Sequence, residues 1–238
     1  MPTLPDALPP FPGFSDAALE FLRELKLNND RDWFKPRKAT YDDELRDPMR
    51  MLAADLSRRL PAEGAPLTGD PNRSVFRIYR DTRFSKNKNP YKTNVAAALH
   101  RNGEKGSPGG LYVHVEPGGC FLASGYWQMD PKLLRRWRER LVADPDGWIE
   151  IADQAASDNL TLGPGPTSTL KRMPRGFSDY MDSPVAEALR WKGATLNLEL
   201  EDADVQSPEL TDRVVEFAKA SLPFLSWGWD LIDDKVSG

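Results

Sequence analysis

Apolar positions recur at helical spacing through the first quarter of the chain and then give way to strict alternation. Ala18, Leu19, Leu22 and Leu25 fall on one stripe after Ser15, whose hydroxyl suits an N-cap, and Phe14 and Leu19 occupy the two positions of a hydrophobic staple. Asn28-Asn29 ends this predicted helix. Asn29 or Asp30 then caps a short second helix carrying Trp33 and Phe34, and Pro36 opens a third that runs through Tyr41 and Leu45 to Asp47. Pro48 opens a fourth, with Met49, Leu52, Leu56 and Leu60 on one stripe, so an N-terminal helical layer is expected to about residue 60.

Residues 61–74 are rich in Pro, Gly, Asp and Asn and read as a loop, after which the apolar period drops to two. Strands are predicted at 75–81, 93–101, 110–116 and 119–126. The last three are joined by GEKGSPGG and PGG, links so short that the pairing has to be antiparallel. In the first strand Phe76 and Ile78 share a face directed at the core, while Arg77, Tyr79, Asp81 and Arg83 share the other.

A second run of helices is announced by cap residues followed by proline: Asp130-Pro131, Asp144-Pro145, Ser183-Pro184 and Ser207-Pro208. Residues 160–182 read as a long loop containing LKRMPRGF, and 194–200 as one more strand. The chain is expected to close on a helix from Pro208 to about Leu222 and an aromatic tail, PFLSWGW. Helices and strands come in blocks, so the predicted fold class is α+β: an N-terminal helical layer, a central, mostly antiparallel meander, and further helices in the C-terminal half. Residues 1–13 read as a proline-rich arm and residues 14–238 as a single domain, since no repeat or linker divides them.

Charge changes the picture in one stretch. Between Arg77 and Lys92 stand Arg77, Arg80, Arg83, Lys86, Lys88 and Lys92 against Asp81 alone, a local charge of +5 in a chain whose net charge is −4. The acidic remainder argues against wholesale wrapping of nucleic acid, which needs a wide basic surface, yet a local anion site fits. Arginine forks suit bidentate oxyanion binding and lysines add mobile point charges. The six cations are therefore candidate ligands for a phosphate, nucleotide or polyanion. Asp81, between two arginines, is expected to orient them, and Lys171, Arg172 and Arg175 in the long loop are candidate accessory groups. If the protein is an enzyme, phosphoester or nucleotide chemistry follows from such cations, but no nucleophile can be assigned.

The alternative is an interaction module that docks an acidic partner or nucleic acid through the same basic surface. Lys132, Arg135, Arg136, Arg138 and Arg140 of the helix from Pro131 to Leu141 would widen it, and Tyr79, Phe84 and Tyr91 would serve as base-stacking platforms. That nucleic-acid version is the less favoured one, because no helix-turn-helix, zinc-finger or RNA-recognition signature accompanies it.

Other chemistries find less support. No G-x-x-x-x-G-K-[ST] loop occurs, and nothing calls for a cofactor. His100 and His114, which flank one predicted hairpin loop, lack a third ligand at a metal-binding spacing, so no metal is expected. Cys120 is the only cysteine, which rules out an internal disulfide and makes it a small core residue in an apolar strand. The first ten residues lack the basic and apolar regions of a signal peptide, and no segment approaches eighteen uninterrupted apolar residues. A cytoplasmic, non-membrane protein is the expectation.

Three segments carry a resemblance. NNDRDWF (Asn28 to Phe34), FRIYRDTRFSKNKNPYKTN (Phe76 to Asn94) and LKRMPRGF (Leu170 to Phe177) resemble, in the same order, the marks of a widespread bacterial and fungal family catalogued as a conserved domain of unknown function. The resemblance spans roughly Phe11 to Leu222. It implies one domain and a cytoplasmic setting, and it transfers no activity. At Ala123-Ser124-Gly125 the chain departs from a family pattern that looks richer in glycine.

Overall fold

The structure, a computed structural model, describes residues 8–166 and 169–233. Residues 1–7 of the proline-rich arm lie outside the described residues. Helix α1 (Asp16–Leu27) begins where Ser15 Oγ accepts the Ala18 N–H at 3.1 Å, and it buries Ala18, Leu19, Phe21, Leu22 and Leu25. The Asp30 carboxylate caps α2 (Arg31–Phe34), accepting from the N–H groups of Asp32 and Trp33, both at 2.9 Å. A 3₁₀ turn over Lys35–Arg37 leads into α3 (Lys38–Tyr41), a π-helical turn over Asp42–Arg46, and α4 (Asp47–Ala62).

The separate helices expected on either side of Pro48 are one continuous helical run. Proline lacks an N–H and its ring crowds the carbonyl four residues back, which normally ends a helix. Here the π turn, in which the Asp47 N–H reaches the Asp42 carbonyl, widens the helix at the very turn that Pro48 would crowd.

After β1 (Leu67–Thr68) and α5 (Pro71–Ser74), the stretch predicted as the first strand forms a looser ribbon. Residues 75–80 run antiparallel beside 90–97 through single bridges at Val75–Ala97 and Tyr79–Tyr91. The Phe76 N–H donates to Ala96 O at 2.9 Å, Arg80 N–H to Pro90 O at 2.9 Å, and Lys92 N–H to Ile78 O at 2.8 Å. Pro90 has no donor to return, so the ladder cannot become continuous. Ile78 is buried as expected. Phe76 is not: it is 41% exposed, and only one of the pair anchors the core.

The remaining elements are β2 (Val95–Arg101), β3 (Gly110–Val115), β4 (Cys120–Tyr126), α6 (Pro131–Ala143), α7 (Pro145–Ser157), β5 (Thr161–Gly163), α8 (Ala186–Leu189), β6 (Ala194–Leu200), α9 (Asp202–Gln206), α10 (Leu210–Ala220) and α11 (Leu222–Asp233). Among the described residues the strands make one antiparallel sheet in the order β1-β2-β3-β4-β6-β5, so the fold is α+β with the meander at its centre. Thr68 stands opposite His100 in β1–β2, and Leu162 opposite Leu196 in β5–β6. Asp130 and Asp144 cap α6 and α7 as their Asp-Pro pairs predict. Ser183-Pro184 opens no helix; α8 begins beyond it, with Val185 in the cap position and no side-chain cap. The expected aromatic tail is helix α11, because Phe224, Leu225, Trp227 and Trp229 bury together only at helical spacing, and Pro223 falls in the first turn where its missing N–H is harmless.

The chain divides into two compact units. Among the described residues the first comprises 8–105, 112–122 and 199–216. Its core is built from α1 and α4 with Phe34, Tyr41, Leu67, Val95, Leu99, Val113 and Val115. The second comprises the described residues 106–111, 123–166, 169–198 and 217–233, and its core is aromatic: Trp137 lies 4.8 Å from Trp227, 5.0 Å from Tyr126 and 5.8 Å from Trp148 between ring centroids. Tyr126 O–H also donates to Leu225 O at 2.6 Å. Gly109 lies in the same core with φ +79°; a Cβ there would stand 2.6 Å from Trp229 Nε1.

Candidate functional site

The six cations of the motif do not form one cluster. At the tip of the ribbon Arg83 grips Asp81 through Nε (3.0 Å) and Nη2 (2.7 Å), while Asp81 also accepts the Arg83 N–H at 3.2 Å. That grip holds the Asp81 carboxyl below its usual range, and the Arg83 guanidinium it engages is exposed to solvent. Arg80 donates to Asn89 O at 3.2 Å and Lys88 to Thr82 O at 3.0 Å, so both fasten the loop on itself. Lys86 is exposed. Phe84 is 96% exposed beside the Arg83 guanidinium, whereas Tyr91, one of the three supposed stacking platforms, is buried against Phe34 at 4.1 Å.

Arg77 and Lys92 lie nearer the body of the first unit, and neither pairs with a carboxylate among the described residues. Arg77 lines a cleft of about 210 Å³ together with Lys38, Tyr41, Asp42, Arg46 and Arg50. Lys38, Asp42, Arg46 and Arg50 stand four residues apart along the continuous helix, and the π turn falls between them. Asp42 takes the ammonium of Lys38 and the guanidinium of Arg46 (2.5 Å), and Asp47 holds both Arg46 and Arg50 at 3.0 Å. Two carboxylates thus serve three cations and leave Arg77 over, while Arg50 Nε is buried without a hydrogen-bond partner. Burial pushes the Tyr41 hydroxyl up to about 12, so it stays protonated and able to donate. None of the helical members was picked out from the sequence. Their signal was the four-residue charge ladder, which also reads as a solvated helix face.

Lys92 lies elsewhere, its Nζ 5.1 Å from the Phe76 ring centroid, with burial and the charge of Arg77 holding its ammonium below the usual range. Phe76 meets Tyr112 edge-on at 5.8 Å, and from there a polar chain runs along one sheet face. His114 Nδ1 is 3.0 Å from Tyr112 O–H and 3.1 Å from Asn94 Nδ2, and His114 Nε2 is 3.4 Å from Glu116 Oε2. Glu116 is itself held by Thr93 O–H at 2.8 Å and approached by Lys26 Nζ at 3.9 Å. Phe121 stacks on the imidazole, with centroids 4.6 Å apart. With Nδ2 of Asn94, a pure donor, facing the ring, Nδ1 is the accepting nitrogen and Nε2 carries the proton toward Glu116. Burial lowers the His114 pKa and raises that of Tyr112 to about 12. His100, by contrast, pairs with β1, and no group of three His, Cys, Asp or Glu able to hold a metal occurs among the described residues. Burial likewise pushes the Cys120 thiol up to about 11, so it remains a protonated core group.

Lys171, Arg172 and Arg175 are exposed in the second unit. The basic face expected on α6 is smaller than its sequence implies. Arg138 donates to Leu189 O (2.8 Å) and Trp191 O (3.2 Å), and Arg140 to Trp227 O (2.6 Å) while lying over the Trp227 ring at 4.5 Å, so both close carbonyls of their own unit. No helix among the described residues is long and apolar enough to cross a membrane. No curated protein and no solved structure matches the chain. A family model does, over residues 17–227, a span that holds both the cleft and the His114 chain: the protein belongs to the conserved hypothetical protein family DUF2461.

Proposed function

We propose that this protein binds a phosphate-bearing small molecule in the cleft of its first unit, with Arg77, Arg46, Arg50 and Lys38 as the anion's partners. The observation that carries this reading is the charge of the cleft wall: four cations line it against one carboxylate, Asp42. Helix-face ion pairs by themselves contribute about 0–1 kcal/mol each, too little to account for a converging set that strands one guanidinium edge without a partner. Arginine forks suit bidentate oxyanions, and Arg46, Arg50 and Arg77 all line the cleft. The Tyr41 hydroxyl, held protonated, supplies a neutral donor. At about 210 Å³ the cleft falls below the roughly 300–1,000 Å³ typical of sites for drug-sized ligands, which favours a single phosphate head group over a whole dinucleotide. The remaining motif cations, Arg80, Arg83, Lys86 and Lys88, would then steer anions toward the cleft, an effect that salt weakens.

Thermal unfolding in the presence of inorganic phosphate and of mononucleotides tests this. At a hundredfold excess over Kd the stabilisation is about 2.7 kcal/mol, a rise in Tm of about 5–10 °C for a chain of this size. Arg77→Ala, an exposed change, should abolish the rise without moving the unliganded Tm by more than about 2 °C, and Arg50→Ala should abolish it as well. Indifference to every small phosphate, combined with salt-sensitive binding to an acidic macromolecule, would favour the docking alternative.

A further inference from the structure

The sheet face carries a second arrangement that the cleft does not use. Along β3 the polar positions alternate, so Tyr112 and His114 project from one face, and Glu116 follows two residues on at the turn into β4. The phenol, imidazole and carboxylate are linked in order, Tyr112 O–H to His114 Nδ1 at 3.0 Å and His114 Nε2 to Glu116 Oε2 at 3.4 Å. Each member has a support. Thr93 holds Glu116, Phe121 stacks on the imidazole, and Asn94 hydrogen-bonds with Tyr112 and, donating through Nδ2, favours the tautomer in which His114 Nδ1 is the acceptor. The chain is only partly covered, since all three residues retain some exposure. We propose that Tyr112, His114 and Glu116 form a proton relay that serves as an acid–base centre for a small oxyanion-bearing molecule steadied by Lys92.

The relay works as follows. A weakly acidic O–H of the bound molecule gives its proton to the Tyr112 oxygen as the Tyr112 proton passes to His114 Nδ1. The phenol ends neutral, the molecule gains the negative charge, and the imidazolium so formed is held between Tyr112 and the Glu116 carboxylate. Return of the proton to solvent resets the site, and no other reactant is required. The charged and titratable groups facing the imidazole are Tyr112, Glu116 and Lys92, with Lys26 reaching Glu116 from α1. Lys92 opposes a charged imidazole and favours an anion on the ligand side. A polar ladder across a sheet serving only stability would need neither the bare Nδ1 nor an ammonium without a carboxylate partner. Arg77 acts on Lys92 through its charge, but no cleft residue belongs to the relay, so either proposal can fail while the other stands.

Benzenesulfonyl fluoride tests the relay without knowledge of the natural ligand. Its sulfur accepts a phenol oxygen, an S–O bond forms, fluoride leaves, and the phenol proton goes to the local base. A phenol made less acidic by burial and lacking a base is slow to react. With His114 as base, Tyr112 should be sulfonylated at least tenfold faster than the exposed Tyr79 and Tyr180, as read by peptide mass spectrometry; general-base assistance is typically worth about 10²–10⁴-fold. The rate should level off above the His114 titration rather than climb with hydroxide. His114→Gln should remove the advantage, and Glu116→Gln should reduce it and displace the pH profile. Labelling of Tyr112 slower than that of Tyr79, or a rate unchanged in His114→Gln, would overturn the proposal. Should those variants fail to fold, nitrogen NMR of the unaltered protein decides: a proton on Nε2 at neutral pH is expected, and a proton on Nδ1 would sink the relay.

Discussion

His114 shows how one side chain can tie stability to pH. Its folded pKa lies below the ordinary value of 6.5 because burial disfavours the imidazolium, and Glu116 only partly offsets this. Just under pH 6.5 the unfolded chain therefore binds more protons at this residue than the folded one, and stability must fall as the pH drops through that window. Urea titrations at pH 7.5 and 5.5 should show this loss, and His114→Gln should flatten it. A slope of the opposite sign would mean that the Glu116 pairing outweighs burial. Asp81 and Arg83 make the contrasting case. Their grip is bidentate yet wholly in solvent, so it shapes the ribbon tip more than it stabilises the protein.

At the scale of elements, a side chain does the work of a strand. Asn29 donates through Nδ2 to Tyr91 O at 3.1 Å and accepts the Tyr91 N–H on Oδ1 at 3.0 Å, so one amide occupies both backbone groups of a residue 62 positions away. Phe34, on the short helix α2 that follows, stacks on the Tyr91 ring. The NNDRDWF and PYKTN segments are therefore halves of one joint, and α2 holds the ribbon from which Arg77 and Lys92 project. Asn29→Ala leaves two part-buried backbone groups without partners, a loss of about 1–3 kcal/mol in denaturant unfolding. Asn29→Asp, which keeps the acceptor alone, should fall between. The π turn is the other joint: it carries the helix past Pro48 and sets Asp42 and Arg46 into the cleft wall.

At the scale of the whole molecule, Trp33 is the one tryptophan of the first unit, and the other six belong to the second. Tryptophan fluorescence thus reports chiefly on the second unit, whereas far-UV dichroism reports on both. Strands β3, β4 and β6 and helix α10 each contribute residues to both units, so melting either one breaks elements of the other. We expect the fluorescence and dichroism transitions to coincide in urea, with one midpoint. Separate midpoints would mean that the chain folds as two domains.

Local patterning by itself determined the helical layer, three of the central strands, β6 and the caps at Ser15, Asp130 and Asp144, and narrowed the cap of α2 to Asn29 or Asp30, because alternation, helical stripes and cap residues act within a few positions of one another. It also marked the stretch from Arg77 to Lys92 as the concentration of positive charge. What it could not apportion was the use of each cation. Arg80, Arg83 and Lys88 fasten their own loop, Arg138 and Arg140 close distant carbonyls, Arg77 shares a cleft wall with the helix at Lys38–Arg50, and Lys92 lies over Phe76, which in turn meets Tyr112 of β3. The alternation of Tyr112, His114 and Glu116 was legible in LYVHVE, but their meaning depended on Asn94 and Thr93 arriving from the ribbon to set a tautomer and hold a carboxylate. Only the tertiary structure decided these, because hydrogen bonds and desolvation depend on which groups converge in space, and the spacing of residues along the chain does not carry that information.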